Sequence, residues 1–172
     1  HRDAHGFGVV TAFGYDGTYT TITASLPAQG DNGMGDIKVG TKAGRLYFGV
    51  GSATNSGVVG LDNWNWVKRY PDFCDLSYLD LKLNGFHFKS KNPDAGLFGA
   101  PDVAVTAPFQ PFNVSSANRI RASKFPTAAI YSADPLGGGT RVEASGIRCP
   151  RGLAFNAFAQ LYMTNDGMEV RG

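Results

Sequence analysis

Three histidines, a spaced pair of tryptophans and two cysteines carry most of the chemistry this chain offers. The histidines are His1, His5 and His87. A histidine at a chain start presents its α-amine and its imidazole as a bidentate chelate. One further imidazole completes a three-nitrogen set suited to copper(II), and His87 falls on the polar side of an expected hairpin, placed to supply it. His1 and His87 are therefore the candidate metal ligands. The competing reading is ordinary surface histidines. His1, Asp3 and His5 also form a His-x-Asp-x-His run that would chelate Zn(II), Ni(II) or Cu(II) without any function.

Trp64 and Trp66 flank Asn65. If residues 63–68 are a strand, both rings project from one face. Asp62, Asn63, Lys68, Arg69 and Tyr70 surround them. Planar rings beside such polar groups form a sugar-binding surface, because ring faces stack on C–H edges while polar groups bind hydroxyls. The candidate ligand-binding residues are thus Trp64, Trp66, Tyr70, Asn65 and Asp62. The alternative is that both rings belong to the core, where Trp is largely buried.

Cys74 and Cys149 lie 75 residues apart. Without a Cys-x-x-Cys or Cys/His cluster, zinc is not suggested. An even count at long spacing predicts one disulfide in a secreted protein, worth about 4 kcal/mol by chain entropy. Two buried free thiols are the alternative. The sequon Asn113-Val114-Ser115 makes Asn113 a candidate glycosylation site, and a start at His1 rather than Met is what a processed chain shows. These features lead to the expectation of a secreted, extracellular protein.

Other chemistries find less support. There is no Gly-x-Ser-x-Gly elbow, phosphate loop or dinucleotide fingerprint. Asp31, Asn32 and Asp36 could hold calcium but lack EF-hand spacing, so a plain turn is expected. No two carboxylates single themselves out for glycoside hydrolysis. The run Arg119–Lys124 reads as a solvated face, and 16 basic against 14 acidic residues give a net charge of only +2. Nucleic acid is therefore not an expected partner. No apolar run approaches the roughly 20 residues of a membrane-spanning helix.

The elements that must position these residues read as strands. Acidic residues are 12 Asp and 2 Glu, and Lys numbers 7, so the usual solvent-side helix formers are scarce. Gly at 23 of 172 residues indicates many turns, and Thr, Phe and Tyr suit pleated surfaces. Residues 7–13 and 18–25 predict a hairpin around Asp16-Gly17, and Gln29–Asp36 predicts a loop. Further strands are expected at 45–50, 57–61, 63–68, 102–106, 119–122, 127–132 and 140–146. Residues 77–89 predict a second hairpin turning at Asn84-Gly85, with Leu81 facing Phe88 and Lys82 facing His87. Residues 153–163 fit a buried strand, or a short helix, before a turn at Asn165-Asp166-Gly167 into 168–170. Strands at this spacing predict an all-β fold, a mainly antiparallel sandwich or barrel with long loops and one disulfide. It would be a single domain over 1–172, with a flexible segment at 1–6.

Two resemblances extend this reading. Phe7–Ser25 and Ala144–Phe158, the latter with Gly146-Ile147-Arg148-Cys149-Pro150 before an aromatic strand, resemble small secreted fungal cell-wall-associated proteins of the PhiA type and related IgE-binding antigens. That likeness implies secretion, a β-rich fold and a non-catalytic role at the cell surface. His1 with His87 resembles the histidine brace of lytic polysaccharide monooxygenases, which implies copper, and an axial aromatic from Phe155 or Tyr162. Cleavage after Ala4 would instead expose His5-Gly6, a start common in that family. The leading expectation is a secreted, non-catalytic binder of glycan or protein surfaces without a cofactor. The alternatives are a copper-dependent oxidative enzyme and a self-assembling coat or filament subunit, so oligomers are possible.

Overall fold

The structure, a computed structural model, describes residues 1–41, 44–84 and 87–167. The chain is mainly β, with antiparallel pairing throughout and no closed barrel among the described residues. At its centre lies a four-stranded sheet in the order β10 (Arg141–Ser145), β9 (Ala129–Ala133), β4 (Leu46–Val50), β3 (Met34–Val39).

β9 explains why this sheet is the spine. All five of its residues are buried, as in a strand covered on both faces. Side chains alternate across a strand. Ala129, Tyr131 and Ala133 therefore face one side together with Phe48 and Val50, and the Phe48 and Tyr131 rings stack at 5.8 Å. Ile130 faces the other side, against Ile147 and Leu153, with Tyr47 packed alongside.

A hairpin covers each face. β1 (Gly8–Phe13) and β2 (Tyr19–Leu26) supply Val10, Ile22 and Leu26 to the first face. The expected hairpin around Asp16-Gly17 is present, with Phe13 opposite Tyr19. β11 (Pro150–Phe155) and β12 (Leu161–Asn165) pack Leu153 and Leu161 on the second. The 153–163 segment is thus neither one strand nor a helix: it turns at Asn156, which accepts from the amides of Phe158 and Gln160. The expected passage from Asn165–Gly167 into 168–170 ends outside the described residues.

The predicted hairpin at 77–89 does not form. β5 (Leu81–Lys82) pairs with β8 (Arg119–Ile120), and β6 (Phe88–Lys91) pairs with β7 (Val103–Thr106). Leu81 faces Ile120 rather than Phe88, and Lys82 faces Arg119 rather than His87. Asp80 draws this segment to a distant partner, accepting from the amide of Ala122 at 2.8 Å and pairing with Arg121 at 2.9 Å. Of the expected turn, Gly85 and Phe86 lie outside the described residues.

Strands at 57–61 and 63–68 are also absent. A 3-10 turn over Leu61–Asn63 leads into a single helical turn, α1 (Trp64–Val67). Asp and Asn favour such starts, and buried Asn63 joins the turn to Asp31. α1 lies over a separate small core of Ala53, Val59 and Phe73.

The expected disulfide is not formed. Both cysteines are free: Cys74 packs beside the Ala53–Val59–Phe73 cluster, whereas Cys149 is buried where the chain enters β11, its amide held by Asn165. The stabilisation expected from a cross-link therefore falls to packing and hydrogen bonds.

Candidate functional site: an aromatic hairpin tip and an apolar cleft

The tryptophans do not form a paired platform. On a helix, residues two apart point away from one another, so the rings take different neighbours. Trp64 meets Phe112 edge-on at 5.4 Å. Trp66 stacks on Tyr70 and on Phe73, each at 6.0 Å, and the Arg2 guanidinium lies over its ring at 5.0 Å. Both are half-buried, and Asn65 between them is exposed. Tyr70 lines a cleft of about 400 Å³ with His5 and Cys74, while Asp62 lines a different one of about 420 Å³. The five expected ligand-binding residues are thus distributed over separate surfaces.

His1 and His87 take different neighbours. The His1 α-amine donates to the Val9 carbonyl at 3.1 Å. His87 lines a depression with Leu83, Ala107 and Ser115–Asn118, to which no residue of the N-terminal arm contributes. Phe155 rests edge-on against Tyr47, and the Tyr162 hydroxyl meets Asn156 and Gln160. Among the described residues, no three His, Cys, Asp or Glu side chains are gathered for a metal ion. The 1–6 arm is tied to the body by Arg2, which donates to the carbonyls of Ala28 and Gly30 at 2.7 and 3.0 Å. Asp31 and Asp36 are directed elsewhere, to Asn63 and to Lys38 and Leu153 respectively.

Asn113 is exposed, with φ 59°. Its amide oxygen accepts from the Val105 amide. No helix among the described residues is long and apolar enough to cross a membrane.

Two surfaces stand out that the sequence reading did not select. The first is the far end of the β1–β2 hairpin. Its base is buried against the central sheet, but burial fades along both strands toward the turn. Phe13, Tyr15 and Tyr19 are 76%, 114% and 73% exposed there. The Phe13 and Tyr19 rings are cross-strand neighbours at 6.4 Å. The turn itself is well ordered by bonds: Asp16 accepts from both the amide and the hydroxyl of Thr18 at 3.0 and 2.7 Å, and the Gly14 amide donates to the Thr18 carbonyl. The Thr18 hydroxyl, chiefly, holds the Asp16 carboxyl below its usual range, so the tip carries an anionic acceptor beside its rings. The signal was present in the sequence, as aromatics flanking and occupying the Asp16-Gly17 turn.

The second is a cleft of about 460 Å³, walled by Leu76, Tyr78, Leu79 and Phe109 and reached by Arg148. Its back wall contains Asp75, 3% exposed, which accepts from the amides of Ala53 and Thr54 and the hydroxyls of Thr54 and Thr127 at 2.6–3.1 Å. Nothing in local periodicity marks these residues, because they are drawn from loops far apart in the chain.

Comparison with known proteins finds no matching family model, no matching curated protein and no matching solved structure.

Proposed function

We propose that this is a non-catalytic, extracellular binding protein that engages glycan surfaces through the tip of its β1–β2 hairpin. The observation that carries the reading is the exposure of Phe13, Tyr15 and Tyr19 together at the end of one projecting element. Aromatic rings left in water forgo the gain from burial, and an exposed cluster of them marks an interaction surface. Ring faces suit sugar C–H edges, and the Asp16 carboxylate with the Thr18 hydroxyl at the turn offers partners for sugar hydroxyls. The layered sheets, read as an open sandwich, serve as the mount. Secretion enters through the exposed sequon at Asn113.

The test is retention on insoluble β-1,3-glucan and chitin particles. Tyr15→Ala and Tyr19→Ala are each expected to weaken retention roughly five- to tenfold, about 1 kcal/mol, while leaving the thermal midpoint in place, since these side chains support no core. Retention that survives a Phe13/Tyr15/Tyr19 triple alanine variant, or no retention of the unaltered protein on either polymer, would refute the reading. So would light scattering in which the tip proves to join copies of the chain.

A further inference from the structure

We propose that the cleft beside Asp75 binds a small amphipathic carboxylate, with an alkyl or aryl tail against its apolar wall and its anionic end toward Arg148. At about 460 Å³ it falls in the roughly 300–1,000 Å³ range of small-ligand sites. Leu76, Tyr78 and Leu79 are 37%, 46% and 62% exposed, and all three line this concavity with Phe109. Large apolar side chains that stay wet inside a hollow are what an apolar ligand would cover.

Backbone strain gathers at the same place. Phe109 and Ala128 both line the cleft and both adopt left-handed φ, 57° and 56°. This conformation is uncommon outside glycine, and such residues cluster at ligand sites.

Arg148 sets the sign of the ligand. The residue is half-buried, and its guanidinium donates to neutral carbonyls: Asn55 O at 3.1 Å, Asn55 Oδ1 at 2.6 Å, and the carbonyls of Asp166 and Gly167 at 3.4 and 2.5 Å. These bonds fix the fork in place but leave its charge without a carboxylate at ion-pair distance among the described residues. Asp75 also lines the cleft and keeps its own negative charge, but its oxygens are directed at Ala53, Thr54 and Thr127, so the anionic end of the ligand belongs at Arg148 and away from Asp75. A carboxylate is the natural complement of a fixed guanidinium.

Calorimetric titration with octanoate, octanol and octylamine tests the assignment. Octanoate is expected to bind at least tenfold more tightly than octanol, and octylamine not at all. Arg148→Met should remove the preference for octanoate. Because Arg148 also joins Asn55 to residues 166–167, Ser145→Asp provides a second arm: Ser145 is an exposed side chain lining the cleft, and a carboxylate there should cost octanoate tenfold or more while sparing octanol. Equal binding of octanoate and octanol, no binding of either, or indifference of octanoate to Ser145→Asp would overturn the proposal. Octanoate binding that persists in Tyr15→Ala separates this site from the hairpin tip.

Discussion

Asp75 is a carboxylate 3% exposed with no cation at ion-pair distance among the described residues. Four neutral donors replace its hydration, and they come from residues 53–54 and 127. The side chain therefore binds three distant segments into one wall. Asp75→Ala would strand several buried donors at once, each worth about 1–3 kcal/mol, so a loss of about 3 kcal/mol or more is expected in urea unfolding. Asp75→Asn, which keeps one carbonyl oxygen, should cost less.

Its neighbour Cys74 answers to the same burial. Desolvation first, then the charges of Asp75 and Asp72, push the Cys74 thiol from its usual value near 9 up to about 11. The neutral thiol is the form the fold prefers. An unfolded chain releases that proton near pH 9, so this contribution to stability is complete below pH 9 and is lost as pH rises toward 11. Alkylation of Cys74 by iodoacetamide should stay slow at pH 8 and accelerate only toward pH 11. The urea midpoint should fall over the same interval, and Cys74→Ser should flatten that fall.

At the scale of elements, the contact between β11 and the central sheet depends on two glycines. A Cβ on Gly35 of β3 would lie 1.9 Å from the Pro150 carbonyl oxygen, and one on Gly49 of β4 would lie 2.5 Å from the Pro150 ring. β11 therefore crosses at a distance that no larger residue allows. Gly35→Ala should force the β11–β12 layer off the sheet and destabilise the fold by about 2 kcal/mol or more, measured by thermal unfolding. Intrinsic fluorescence is expected to shift as Tyr47 loses its edge contact with Phe155.

Elements also show what sequence reading can reach. The β1–β2 hairpin was legible because its turn is local: Asp16 and Gly17 encode it within five residues. The strand expected at 127–132 is present as β9, Ala129–Ala133, whereas the near-continuous apolarity of 153–163 misled, because Asn156 turns that segment. The pairings of β5 with β8 and β6 with β7 were not legible. Asn84-Gly85 satisfies every local rule for a hairpin, yet Asp80 gains a backbone amide and an arginine 42 and 41 residues away. Residues 63–68 alternate as a strand would, but turn formers at 62 and 63 start a helix, and the two rings part.

For the whole molecule, layering decides which residues reach the surface. The Asp16-Gly17 hairpin signal placed Phe13 and Tyr19 on strands but could not say where cover from the central sheet stops, and that limit is what exposes them. The cleft is less legible still, because Leu76, Phe109, Ala128 and Arg148 converge only once three layers and their loops are assembled. Cysteine parity pointed to a cross-link, but the thiols are separated into different packing regions.

β9 is the only strand of the described residues buried along its full length while paired on both edges. Four further two-stranded sheets among the described residues lie outside the central one. Exposed side chains on those pairs should therefore tolerate exchange better than any position of β9.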